Sequence, residues 1–126
     1  MTGNEYQSHA MRTNDRKGTE RLLKFIEEHK DINVGGLLNG YNGLFGEGGE
    51  SCDMIKKWIF HEKPLDIEHF KKEIGDILWY VAMICESMNF DLDEIMQMNI
   101  DKLKARYPMN EGFTVERANN RAEGDV

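Results

Sequence analysis

Positive charge is scarce in this chain. Sixteen Lys and Arg stand against 23 Asp and Glu, a net charge of −7 over 126 residues. Gripping a nucleic-acid backbone needs a basic surface, so nucleic acid is not expected as a partner, although a local basic cluster for a small phosphate ligand remains compatible. Long apolar runs are missing too, which argues against a transmembrane helix and a membrane partner. The opening Met1-Thr2-Gly3-Asn4-Glu5 lacks the basic and apolar regions of a signal peptide. Only two cysteines occur, Cys52 and Cys85, without Cys/His ligand spacing. Buried reduced thiols are expected, as in a cytoplasmic protein. Two prolines, Pro64 and Pro108, leave few breaks and suit an α-rich chain. None of the four histidines (9, 29, 61 and 69) stands three residues after a glutamate. The Glu-x-x-His pattern of di-iron bundles is therefore absent, and so is an EF-hand loop.

What is present is helical periodicity in a chain of one-domain size. A single all-α domain is expected over residues 1–118, with a mobile tail over 119–126. Asn4, with Gln7 in the reciprocal position, is expected to cap a first short helix that fades near Arg12-Thr13. Asn14 to Gly18 reads as a loop. Thr19 is expected to cap a second helix to about Lys30, with Leu22, Leu23, Phe25 and Ile26 as its apolar face. Asp31 to Gly36 reads as a loop closed by Gly35-Gly36. A longer helix is predicted from Leu37 to Phe60, where Leu37, Tyr41, Leu44, Ile55 and Trp58 recur near the helical period. Glycines 40, 43, 46, 48 and 49 oppose it, each costing about 1 kcal/mol against alanine. The periodicity continues on both sides, and glycine permits close approach of backbone or ligand, so the helix stands. His61 to Leu65 is the turn, and Asp66 caps the next helix, which runs to Met88. That helix is apolar over a wide arc and is predicted to be the central, most buried element. Asp91, with Glu94 in the capping-box position, opens a last helix to about Tyr107, where Pro108 ends it.

Two pairs of carboxylates stand out: Glu47 with Glu50, and Glu73 with Asp76. At i and i+3 each pair leaves one face of its helix, the Cβ atoms about 5–6 Å apart. From Glu50 to the turn is about 12 residues and from the turn to Glu73 about 11, nearly equal climbs in an antiparallel hairpin. The register brings all four acids level. One such pair alone reads as a solvated face; two in register, each flanked by apolar residues, point to a hard divalent cation. Mg²⁺ is the best fit, with Mn²⁺ as the alternative, and Mg²⁺ usually completes its shell with substrate phosphates.

On the last helix Ile95, Asn99, Lys102 and Arg106 form one stripe. Asn99 interrupts an apolar face, and the two cations suit a polyphosphate beside a metal centre, although both would also favour a helix C-terminus through its dipole. Lys57, like Lys56, is a weaker substrate-binding candidate and reads equally as a solvated edge. Asp53 fits either a supporting role or plain surface. Tyr80, one turn after Asp76, is a candidate for lining a base pocket; as an aromatic at helical spacing it reads equally as core, as do Trp58 and Trp79. His61 and His69 read as surface residues near the turn.

These residues resemble a family. Gly43-Leu44-Phe45-Gly46-Glu47-Gly48-Gly49-Glu50, with Asp53 and Lys56-Lys57, resembles the first motif of the MazG-like nucleoside triphosphate pyrophosphohydrolases. Lys72-Glu73-Ile74-Gly75-Asp76-Ile77-Leu78-Trp79-Tyr80 is similar to their second motif. Asn99 to Pro108, with Gly112-Phe113 after it, is similar to their third, and Glu5-Tyr6-Gln7 with Ala10 to Thr13 is similar to the opening of short phage-type members. Asn14 to Gly36 matches poorly. The resemblance implies an all-α fold that assembles as a homodimer or homotetramer. It implies Mg²⁺ held by Glu47, Glu50, Glu73 and Asp76, and hydrolysis of an NTP or dNTP to the monophosphate and pyrophosphate, clearing surplus nucleotides. Lys102 and Arg106 would contact phosphates, and Glu47 or Glu50 would orient or deprotonate the attacking water. The alternative is a non-catalytic helical module for nucleotide sensing or protein interaction, against which the four intact carboxylates speak.

Overall fold

A computed structural model describes residues 1–108 and 112–120. Among the described residues the chain is all helix: α1 (Gly3–Met11), α2 (Gly18–Glu28), α3 (Val34–Phe60), α4 (Ile67–Ser87), α5 (Leu92–Arg106) and α6 (Val115–Asn119). It divides into two compact units, Met1–Val34 and Gly35–Val126.

In the first unit the cap of α1 is Thr2, not Asn4. Thr2 Oγ1 accepts from the Glu5 N–H at 3.1 Å, and Glu5 Oε2 accepts from the Thr2 N–H at 2.9 Å. Thr2-x-x-Glu5 satisfies two donors reciprocally, which Asn4 with Gln7 does not, so the helix starts two residues early. Nor does Thr19 cap α2, which starts at Gly18 after Lys17, without a side-chain cap. Asp15 organises the approach instead, accepting from the Lys17 N–H at 3.0 Å and pairing with Arg21. Leu22, Leu23, Phe25 and Ile26 of α2 all remain exposed.

The second unit is built on the α3–α4 hairpin. The loop expected over residues 31–36 is shorter, because α3 already begins at Val34 and takes Gly35-Gly36 into its first turn. At 27 residues α3 is about 40 Å long. Its glycines fall into two groups. A Cβ at Gly40 would come within 2.7 Å of Ile84 Cγ1, and one at Gly43 would overlap the Tyr80 ring, so both glycines admit α4 against the α3 backbone. Gly46, Gly48 and Gly49 would meet nothing within 4 Å. Asn39 Nδ2 also donates to Met83 Sδ across the hairpin at 3.6 Å.

Asp66 caps α4 by accepting from the His69 N–H at 3.1 Å. The far end of α4 is a Schellman turn. Asn89 takes φ 57°, Phe90 N–H donates to the Cys85 carbonyl at 2.8 Å and Asn89 N–H to the Glu86 carbonyl at 3.1 Å. Asp91 caps α5 through the Asp93 N–H rather than in a box with Glu94. The polar segment after Pro108 holds one further helix that periodicity did not reveal, α6, capped by Thr114 through the Arg117 N–H at 3.0 Å. Of the tail expected over 119–126, Asn119 closes α6 and residues 121–126 lie outside the described residues.

Among the described residues the buried hydrophobic ones are Val34, 7% exposed, and Cys85, 6% exposed. The apolar arc of α4 is thus only partly covered, with Leu78 63% and Trp79 58% exposed, and Trp58 is exposed on α3. Ile67, Ile74 and Leu78 form one outward stripe at i, i+7 and i+11. Of the two thiols, both free, Cys85 is buried as expected and Cys52 is exposed. No helix among the described residues is long and apolar enough to cross a membrane.

Candidate metal and substrate site

The hairpin register sets the site. Glu47 from α3 and Glu73 and Asp76 from α4 each offer a carboxylate oxygen, and the three lie within 4.8 Å of one another. Glu50, one turn beyond Glu47, faces both Glu47 and Glu73 closely enough to act on their protons. Burial is graded: Glu73 is only 9% exposed, Glu47 is half-buried, and Glu50 and Asp76 are exposed.

Close carboxylates cannot all ionise without a counter-charge. Glu47 is pushed up to about 7, first by the hydrogen bond it shares with Glu73, then by burial and by the charge of Glu50. Glu73 moves the opposite way, below its ordinary value, because the neighbouring Glu47 carboxyl and then the His69 ring favour its charged form. A proton on Glu47 would thus do part of the work of a cation. Even so, Glu47 Oε2 and Glu73 Oε2 are buried without a hydrogen-bond partner, as is Ser51 Oγ one turn beyond Glu47. Buried carboxylate oxygens rarely stay unsatisfied. A convergent, all-oxygen, partly dehydrated donor set suits a hard divalent cation such as Mg²⁺ or Mn²⁺, so the residues present fit the metal.

His69, read from sequence as a surface residue, joins the site: its Nε2 lies 2.9 Å from Glu73 Oε1. The signal was its position four residues before Glu73, one turn away on the same face. Asp53 pairs with Lys57 at 2.7 Å and with Lys56 at 3.0 Å, and these two lysines hold its carboxyl down at about 2. Lys57 also lines a cavity of about 230 Å³ at the hairpin turn, together with Lys63, Pro64 and His69.

Tyr80 sits one turn after Asp76, half-buried, with its ring against Gly43 and edge-on to Trp79 at a centroid separation of 5.1 Å. Along α5, Asn99, Lys102 and Arg106 follow at i, i+3 and i+7, Asn99 exposed and both cations half-buried.

The MazG nucleotide pyrophosphohydrolase domain family matches residues 38–110, which takes in nearly all of α3 and the whole of α4 and α5. All the candidate site residues fall inside that span. The gene 37 protein of Mycobacterium phage L5 is 33% identical over 78 residues, covering 58% of this chain and 68% of that protein. No solved structure matches.

Proposed function

The chain belongs to the MazG nucleotide pyrophosphohydrolase family, and from that premise we propose that it hydrolyses a nucleoside or deoxynucleoside triphosphate to the monophosphate and pyrophosphate in a Mg²⁺-dependent reaction. The observation that carries the reading is the convergence of the Glu47, Glu73 and Asp76 carboxylates, two of which keep a buried oxygen without a hydrogen-bond partner. Glu47, Glu50, Glu73 and Asp76 would hold the ion. When bound, Mg²⁺ or Mn²⁺ supplies charge neutralisation on the phosphates and acidifies an attacking water.

The rest is work for the chain's own side chains. Glu50 stands outside the three carboxylates whose oxygens converge most closely. That position suits it to orient the water or take its proton, with Glu47 as the alternative base once its own proton has left. Lys102 and Arg106 would hold phosphate oxygens, with Asn99 on the same stripe as a hydrogen-bonding partner and Lys57 as a further cation. Tyr80 would wall the nucleoside side of the site. Positioning and electrostatics then supply most of the acceleration, as usual for phosphoryl chemistry. A homodimer or homotetramer completes the proposal, because a lone chain leaves the stripe of Ile67, Ile74 and Leu78 uncovered.

The test is a pyrophosphate-release assay over NTPs and dNTPs, with and without Mg²⁺, on wild type and on Glu50→Ala and Asp76→Ala. Metal-dependent release of pyrophosphate rather than orthophosphate, lost in both folded variants, is expected. Nucleotide binding without turnover would refute the hydrolase and leave a sensing module. Full activity in both variants would refute this site.

A further inference from the structure

We propose that His69 is a positioning residue for the metal centre: its Nε2–H occupies Glu73 Oε1 and so commits Glu73 to a single ligand oxygen, Oε2. The inference rests on the metal-site reading above and concerns how that site is held in shape.

Glu73 has two oxygens with different surroundings. Oε1 is 2.9 Å from His69 Nε2, whereas Oε2 is buried and has no partner. An ionised carboxylate only accepts, so the imidazole nitrogen facing it carries the proton. The side chain of His69 is 57% exposed and that of Glu73 only 12%. Burial did not force the histidine into this contact; a ring so open to water would be solvated equally well pointing outwards. Its main chain is fixed as well, since the His69 N–H donates to Asp66 Oδ1, the cap of α4, at 3.1 Å. The hairpin turn, the cap, the histidine and the glutamate are thus tied together by hydrogen bonds that end at Glu73 Oε1 and leave Oε2 free.

The physical consequence is orientation. Without a partner on Oε1, Glu73 can rotate about its last torsion and present either oxygen, or both, to a cation. Outer hydrogen bonds of this kind typically change metal affinity about 10–100-fold when removed. A role confined to folding would act on the metal-free protein instead.

The experiment is a Mn²⁺ titration of the nucleotide-free protein, with free Mn²⁺ counted by electron paramagnetic resonance, for wild type, His69→Ala, His69→Gln and Glu73→Gln. Wild type is expected to bind and Glu73→Gln to lose most binding. His69→Ala should bind about 10-fold or more weakly, and His69→Gln, whose amide N–H reaches a similar position, should recover most of the loss. The metal-free melting temperatures of the two His69 variants should fall only slightly, by no more than the loss of one half-exposed hydrogen bond explains. Mn²⁺ binding by His69→Ala as tight as wild type overturns the inference while leaving the carboxylate site standing. Equal losses in His69→Ala and His69→Gln overturn the donor role. Failure of wild type to bind Mn²⁺ overturns both the site and the inference.

Discussion

Two glycine-to-alanine substitutions five residues apart on α3 should move stability in opposite directions. In a helix interior alanine is favoured over glycine by about 1 kcal/mol. At Gly48 an added Cβ meets nothing within 4 Å, so Gly48→Ala should realise that whole gain. At Gly43 the same methyl would fall on Cε1, Cζ and Cδ1 of the Tyr80 ring. The ring also packs edge-on to Trp79 at 5.1 Å, so moving it aside disturbs that contact. Overpacking of this kind costs about 1–3 kcal/mol; after the propensity gain, Gly43→Ala should be destabilised by roughly 0–2 kcal/mol. For a domain of this size 1 kcal/mol corresponds to about 4 °C in melting temperature. Calorimetry of the metal-free proteins should therefore show Gly48→Ala up by about 4 °C and Gly43→Ala unchanged or down by as much as about 8 °C. A rise in Gly43→Ala equal to that in Gly48→Ala would show that α3 and α4 do not approach as closely as drawn. A fall in Gly48→Ala would show that the open face beside the acids is occupied in solution.

Proton linkage gives a second prediction. With Glu47 raised to about 7 from its ordinary 4.5, the folded state holds more protons than the unfolded one between those values. Metal-free stability should therefore fall as pH rises through that window. The lowered Glu73 adds stability that is lost only as pH falls through its folded pKa, below the same window. A cation must displace the Glu47 proton, so Mn²⁺ titration calorimetry in buffers of different ionisation enthalpy should show proton release at pH 6 and almost none at pH 8.5. Equal release at both would refute a protonated Glu47. A third prediction concerns assembly: sedimentation of wild type should give a dimer or tetramer, and Leu78→Asp, placing a charge in the exposed α4 stripe, should shift it towards monomer. A wild-type monomer at all concentrations would refute the second copy.

The hairpin was legible because its signals are counted along one chain. Apolar spacing gave α3 and α4 through five glycines, and the equal climbs to and from the turn gave the register that sets Glu47 level with Glu73 and Asp76. Family motifs pointed to the same residues. Other features were harder to read. Asn4 and Thr2 are both good caps, and only the reciprocal bond with Glu5 decides between them. Gly35-Gly36 looks like a loop because propensity outweighs the α3 context there, yet the helix begins before it. A wide apolar arc on α4 implied burial, but an arc reports what must be covered and not whether the same chain covers it; Leu78 and Trp79 remain exposed. His69 reads as a surface residue and its side chain is 57% exposed, yet its spacing from Glu73 carried the contact between them.

The placement of the glycines against the acids ties stability to the site. Gly43 lies one turn before Glu47, and Tyr80 one turn after Asp76, so a close contact between α3 and α4 sits immediately beside the carboxylates. Helix backbones are stiff over a single turn, and a contact of ring against backbone leaves little play. The spacing that Tyr80 and Gly43 impose is therefore transmitted almost unchanged to Glu47, Glu73 and Asp76. Their mutual repulsion works to open the hairpin at that level, and the packing one turn away resists it. On the other side of the acids, the hydrogen bonds of Asp66, His69 and Glu73 fix one carboxylate from the turn. Glu47, Glu73 and Asp76 are thus held between a packing contact and a hydrogen-bonded turn, an arrangement that would keep the three carboxylates converged for the proposed cation.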